Sequence, residues 1–242
     1  MKIKTLIFIP TYNERENAPK ICREIMALGL DADLLFIDDG SPDGTGAALE
    51  ELKPLFPRLT VQHREGKLGI GSAHLSGIDW AYQHGYQVLI TMDCDFTHLP
   101  SDISKMIDAL EGSDVAVGSR FLAKDSLPGW SHARKLMTAG GHFLTSHLLG
   151  MPHDASGAFR AYDLQKVDQR AFHLAKSTGY GFFFDSLFVL VCNKYKIKEI
   201  SIILPSRSSG DSKMSLIEIW KGLSHLFGVA ILCRVSPSRF KF

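Results

Sequence analysis

None of the four cysteines, Cys22, Cys94, Cys192 and Cys233, stands in a CxxC pair, so zinc knuckles and thioredoxin-type redox motifs are excluded. Scattered thiols fit a reducing, cytosolic compartment. Charge of one sign is also missing, since 27 Lys and Arg stand against 26 Asp and Glu. Without a basic field the chain is no general nucleic-acid binder, and any anion must be held by a few placed groups. No apolar run reaches the ~20 residues of a spanning helix. The opening MKIKTLIFIPTYN carries a short apolar stretch without a small-residue cleavage site, and reads as a first strand. No GxGxxG follows it, which removes the usual dinucleotide fingerprint. Internal repeats and low-complexity segments are absent.

What is present is a core-forming chain of 242 residues, 45% of them hydrophobic, enough for one domain. Strand and helix patterns alternate. Apolar strands are expected over Lys4–Ile9, Leu34–Ile37, Leu59–His63, Tyr86–Met92 and Ser113–Gly118. Between them, helices are expected from an Asn17 cap to Gly29, over Thr45–Lys53, over Ile70–His84 with small residues Ala73, Gly77 and Ala81, and over Pro100–Leu110. This order predicts an α/β fold, a mostly parallel sheet covered by helices on both faces. Beyond Arg120 the order changes: a helix over Ser131–Leu149, a short strand over Ala158–Tyr162, a helix over Phe182–Tyr195, a strand over Lys196–Leu204, a polar loop over Ser206–Asp211 and a helix over Ser215–Arg234.

Ligands of open α/β sheets bind beyond the carboxyl ends of the strands. Three polar clusters fall at such ends: Pro10-Thr11-Tyr12-Asn13-Glu14, Asp38 to Thr45, and Asp93-Cys94-Asp95-Phe96-Thr97-His98. Residues two apart on an extended segment point to one side, so Asp93 and Asp95 offer paired hard oxygen ligands. That donor set suits Mg²⁺ or Mn²⁺ bridging a diphosphate.

The ordered set IPTYNERENAP, DDGSPDGT, REGKLGIGSAH, MDCDFTHLP, GSRF, SGAFRAYD and RSSGDSKMS, spread over residues 9–215, resembles the inverting family 2 glycosyltransferases of GT-A fold that include the dolichol- and polyprenyl-phosphate mannose synthases. The resemblance implies a nucleotide-sugar donor, with GDP-mannose favoured, and a polyprenyl phosphate acceptor. It implies that Pro10, Tyr12, Glu14, Ile37, Asp39, Lys67, Asp93 and Cys94 hold the nucleotide side of the donor. Asp93 and Asp95 would hold the metal, with Thr97 as a further ligand where relatives often carry Gln or Ser. Arg120, Arg134, Arg207 and Lys213 would converge on the phosphates. The catalytic set implied is Asp93, Asp95, Arg120 and Asp154.

Were the acceptor a hydroxyl, a carboxylate base would be needed, and Asp154 or Asp185 would supply it. Asp185 stands where many relatives have Glu, and His142 where Asn is expected. UDP-glucose or UDP-N-acetylglucosamine as donor, and a non-catalytic nucleotide-sugar-binding subunit, are the competing readings. The domain expectation is a GT-A unit over 1–214 and an amphipathic helix over 215–242. Glu218, Lys221, His225 and Arg234 interrupt that helix, which suits a membrane interface better than a span, with an amphipathic helix packed on the domain as the alternative. Trp220, Leu223, Leu226 and Phe227 would form its apolar face. The chain is then expected on the cytoplasmic face of a membrane, directly or through a separate membrane subunit.

Overall fold

The structure is a computed structural model, and it describes residues 3–205 and 216–242. Its strands are β1 (Thr5–Thr11), β2 (Ala32–Asp38), β3 (Leu59–His63), β4 (Val88–Thr91), β5 (Val115–Ser119), β6 (Arg160–Asp163) and β7 (Ile197–Ser201). They form one sheet in the order β3-β2-β1-β4-β6-β5-β7. β1 runs parallel to β2 and β4, β2 parallel to β3, and β5 parallel to β7; β6 is antiparallel to both its neighbours. The mostly parallel α/β sheet expected from the alternation is therefore present.

The helices are α1 (Ala18–Ala27), α2 (Thr45–Glu50), α3 (Ile70–Gln83), α4 (Ile103–Asp108), α5 (His132–Leu149), α6 (Arg170–Leu174), α7 (Gly181–Cys192) and α8 (Leu216–Val235). Strand side chains alternate between two cores, because successive residues of a strand point to opposite faces. Leu6, Phe8, Leu35 and Ile37 pack with residues of α3, α6, α7 and α8. Ile7, Ile9, Leu34 and Phe36 pack with residues of α1, α2 and α4. Both faces are covered, which is why these strands read as continuous apolar runs rather than alternating ones. The small residues of α3 serve close packing: a Cβ on Gly77 would lie 2.7 Å from the Phe8 ring.

Several local expectations change. Asn17 is itself α-helical (φ −89°) and does not cap α1; its Nδ2 donates instead to Glu14 Oε2 at 2.8 Å. Gly29 does end that helix region, at φ +64°. Strands β4 and β7 and helix α7 are shorter than their apolar runs. β4 has no ladder partner past Thr91, where the chain bends away. The five residues of α6 carry no period long enough to read. In α8, Leu226 turns inward to the core with Val229 and Ala230 and is lost to the outer face. Among the described residues there, Trp220, Phe227, Ile231, Leu232 and Val235 are exposed large apolar residues, and Leu223 is half-buried. Among the described residues no helix is long and apolar enough to cross a membrane.

Candidate active site

The register aligns Thr11 with Asp38 and Phe8 with Thr91, so the carboxyl ends of β1, β2 and β4 meet at one edge. The three polar clusters follow from those ends. Pro10, Tyr12, Glu14, Asp39 and Lys67 line one cavity together with Asp93, Cys94 and Asp95. Asp93 and Asp95 lie beyond the end of β4, where the chain enters a bend at Cys94, and not on an extended strand. They share the cavity because the chain turns there, with Phe96 in the left-handed region at φ +61°. A non-glycine residue in that region costs energy and persists where its surroundings hold it.

Hydrogen bonds fix each turn. Asp38, buried, accepts from the Ser41 N–H at 3.0 Å and the Thr11 hydroxyl at 3.2 Å, and so shapes the DDGS turn. Ser41 Oγ in turn accepts from the Asn13 N–H at 3.0 Å. Asp39 pairs with the Arg64 guanidinium at 2.7 Å and accepts from the Leu68 N–H at 3.3 Å. Burial pushes the Asp39 carboxyl up from its ordinary range, against the pull of Arg64. Lys67 Nζ stands 4.7 Å from the centre of the Tyr12 ring. In the third turn the Thr97 hydroxyl and N–H both donate to Asp95 Oδ1, at 2.6 and 3.1 Å. Thr97 thus orients the Asp95 carboxylate.

His98 Nδ1 accepts the Asp93 N–H at 2.9 Å, so that nitrogen carries no proton. Full burial pulls the His98 pKa down to about 4. The 3.7 Å approach of Nδ1 to Asp93 Oδ2 is therefore no ion pair at neutral pH.

The donor set fits a hard divalent cation. The Asp93 and Asp95 carboxylates both line the cavity, and no metal-holding group of three or more His, Cys, Asp or Glu gathers among the described residues. Mg²⁺ and its like are commonly held by one or two carboxylates, the remaining positions coming from substrate phosphates and water.

Other expected residues lie elsewhere. Ile37 is sealed in the sheet core, so its side chain is not available to a nucleotide. Asp154 is fully buried. Its Oδ2 accepts from Arg120 N and Nε at 3.1 and 2.8 Å, and its Oδ1 from Ser156 N and Oγ at 3.4 and 3.3 Å. It is the partner of Arg120 and is not set up as a general base. Asp185 is likewise buried and engaged by the Lys176 N–H and by His225. Arg134 lies in the first turn of α5, its guanidinium 3.6 Å from the Trp130 ring centre, and does not line the cavity. His142 stacks on Phe121, one residue past Arg120. Arg207 and Lys213 lie outside the described residues.

Residues not singled out in the sequence complete the wall. Ile70 and Ala73 come from α3, and Gly179 and Tyr180 from the segment before α7. Arg64 had a signal: it follows β3, whose end neighbours that of β2, where Asp39 stands. Arg160 of the SGAFR run is buried, donating to the carbonyls of Ala155, Gly157 and Phe183 and to Ser186 Oγ. It binds the backbone together and faces no ligand site.

A mostly parallel sheet carrying acidic turns along its carboxyl edge is the architecture of the GT-A glycosyltransferases. The fold agrees with that of glucosyl-3-phosphoglycerate synthase from Mycobacterium tuberculosis, crystallised with Mn²⁺ and UDP-glucose. The TM-score is 0.66 at 17% identity, over 96% of this chain and 79% of that one. The chain belongs to glycosyl transferase family 2, whose model matches residues 6–169. It is 38% identical over 215 residues to polyprenol monophosphomannose synthase of Mycolicibacterium smegmatis, covering 88% of this chain and 81% of the relative. It is 32% identical over 214 residues to undecaprenyl-phosphate mannosyltransferase of Micrococcus luteus, covering 88% of each.

Proposed function

We propose that this chain is an inverting glycosyltransferase that moves mannose from GDP-mannose to a polyprenyl phosphate. The observation that carries the proposal is the single cavity shared by Asp93, Asp95 and the nucleotide-side residues Tyr12, Asp39 and Lys67, in a chain so similar to two lipid-phosphate mannosyltransferases. Tyr12 offers a ring to the base, and Lys67 a point charge to the diphosphate. The N-terminus of α3, beside Gly69, adds backbone donors. Asp93 and Asp95 would hold Mg²⁺ or Mn²⁺, which when bound neutralises the departing diphosphate.

A phosphate monoester acceptor is already ionised near neutral pH, so its oxygen attacks the anomeric carbon without a protein base. This agrees with the two candidate bases, Asp154 and Asp185, both being buried and engaged. Catalysis then rests on alignment and on charge held in place. By the family resemblance Arg120, Arg134, Arg207 and Lys213 would be the cations for the phosphates; Arg120 and Arg134 do not line the donor cavity, so theirs would be the acceptor phosphate. One displacement inverts the centre, and an α-linked donor gives a β-linked product.

The lipid would be met at the face formed by α5 and α8, which pack together. Leu136, Met137 and Phe143 on α5 and Trp220, Phe227 and Ile231 on α8 are exposed, with Lys135 and Lys221 beside them for anionic headgroups. The protein would thus sit peripherally on the cytoplasmic face of a membrane.

The test supplies radiolabelled GDP-mannose, UDP-glucose or UDP-N-acetylglucosamine with undecaprenyl phosphate and Mg²⁺ or Mn²⁺. Labelled lipid from GDP-mannose, lost in Asp95→Ala, is expected. Lipid label from a UDP-sugar would overturn the donor. No label from any donor, with nucleotide still bound, would favour a non-catalytic subunit.

A further inference from the structure

The cavity wall furthest in sequence from the acidic turns is the segment 176–180, and an unusual carboxylate holds it. Asp185 lies in α7, buried, and its Oδ2 accepts three hydrogen bonds: from the Lys176 N–H at 3.0 Å, the Ser177 N–H at 3.3 Å and His225 Nε2 at 2.7 Å. The two backbone donors start the segment whose other end, Gly179 and Tyr180, lines the cavity. The third donor comes from α8, the helix whose outer surface carries Trp220 and Phe227.

The segment also grips the head of α3. Thr178 O accepts the Ser72 N–H at 3.1 Å. A Cβ on Gly69, at φ +98°, would sit 2.5 Å from the same oxygen, so only glycine allows the approach. Gly69 belongs to the turn that carries Lys67. Movement of 176–180 would therefore shift two sides of the cavity, Tyr180 directly and the Lys67 turn through Thr178. His225 is wedged in place, its Cδ2 3.2 Å from where a Cβ on Gly181 would lie and its ring 5.5 Å from that of Phe184. Asp185 is the charged group bonded to it, and that contact raises the His225 pKa above its ordinary 6.5.

We propose that Asp185 and His225 are positioning residues: through them α8 sets the 176–180 segment, and so the shape of the donor cavity. The inference rests on the reading that this cavity takes the nucleotide-sugar. It links the helix assigned to the lipid surface with the donor site by one charge-assisted hydrogen bond. Neither residue lines the cavity.

The test compares the full chain with His225→Leu, which removes the donor, and His225→Gln, whose side-chain amide restores an N–H near the same place. Two quantities are read: hydrogen exchange along the chain, and the Kd of GDP and of UDP with Mn²⁺. In His225→Leu, amides of 176–180 and of the Gly69–Ser72 turn should exchange faster by on the order of tenfold, the scale of one hydrogen bond to a charged group. Nucleotide affinity should fall by a similar factor, and His225→Gln should recover most of both. Unchanged exchange and affinity in His225→Leu would overturn the proposal. Faster exchange spread evenly over all elements would do the same, since it marks a general stability role. Exchange does not depend on sugar transfer, so a wild type inactive with GDP-mannose would refute the proposed reaction and leave this test readable.

Discussion

The edge where β1, β2 and β4 end and the face made by α5 and α8 handle their side chains in opposite ways. At the edge almost every polar group is committed: Thr97 to Asp95, Arg64 to Asp39, Ser41 to Asp38. On the helical face large apolar side chains stand uncovered, Leu136 at 75% and Trp220 at 71% exposed. The contrast follows from what each surface has to meet. A diphosphate and its cation reward fixed, preorganised charge. A bilayer rewards apolar area and basic rims, and asks little of geometry. The first surface is built on turns at strand ends tied by hydrogen bonds, and the second on helices that need only present a stripe.

Substitutions should separate the two surfaces. The largest effect is expected from Asp95→Ala: a fall in kcat/KM of about 10³-fold, with melting temperature and liposome binding kept. Loss of liposome binding in that variant would break the division. Next is Arg120→Met, which leaves Asp154 buried without its cation and should destabilise the fold by about 3–5 kcal/mol, read by denaturant unfolding. Wild-type stability would mean that the pair is not the scaffold element that its burial implies.

On the opposite surface, Trp220→Ser with Ile231→Ser should weaken partition onto anionic vesicles on the order of 10- to 100-fold. Soluble nucleotide binding should be unaffected, and retained vesicle binding would remove α8 from the lipid face. Lys67→Ala should raise the nucleotide Kd about 3- to 10-fold, the worth of one exposed charge and its contact with Tyr12.

The smallest effect is a pH dependence at the junction of the surfaces. His225 has its pKa raised by Asp185, so the pair's stabilisation is complete below pH 6.5 and fades as pH rises through the raised value. The gap in melting temperature between wild type and His225→Gln should therefore be widest on the acid side of 6.5 and narrow above it. A gap that widens with pH would contradict the sign.

The same contrast explains what could be read from the sequence. Apolar runs that stop at DDGS and at MDCD mark strand ends, so the acidic turns and their common edge were legible. The cavity's remaining wall was not, because Gly179 and Tyr180 arrive from the segment before α7 and nothing local marks them as neighbours of Tyr12. The Arg120–Asp154 pair was hidden for a topological reason. β6 enters antiparallel beside β5, which brings the start of one strand to the end of the other. The residues were visible, but their junction was not. Leu226 was misjudged on the outer face of α8 because a helical period gives a stripe without saying which way it points. Asn17 looked like a cap by residue type, but Glu14 takes its amide.

The central claim is that the acceptor is a phosphate that needs no protein base. The most direct measurement offers labelled GDP-mannose and Mn²⁺ with either undecaprenyl phosphate or undecaprenol, the same lipid ending in a hydroxyl. The account predicts labelled lipid from the phosphate and none above background from the alcohol. Equal labelling of the alcohol would contradict it, and would require a base that neither Asp154 nor Asp185 is arranged to provide.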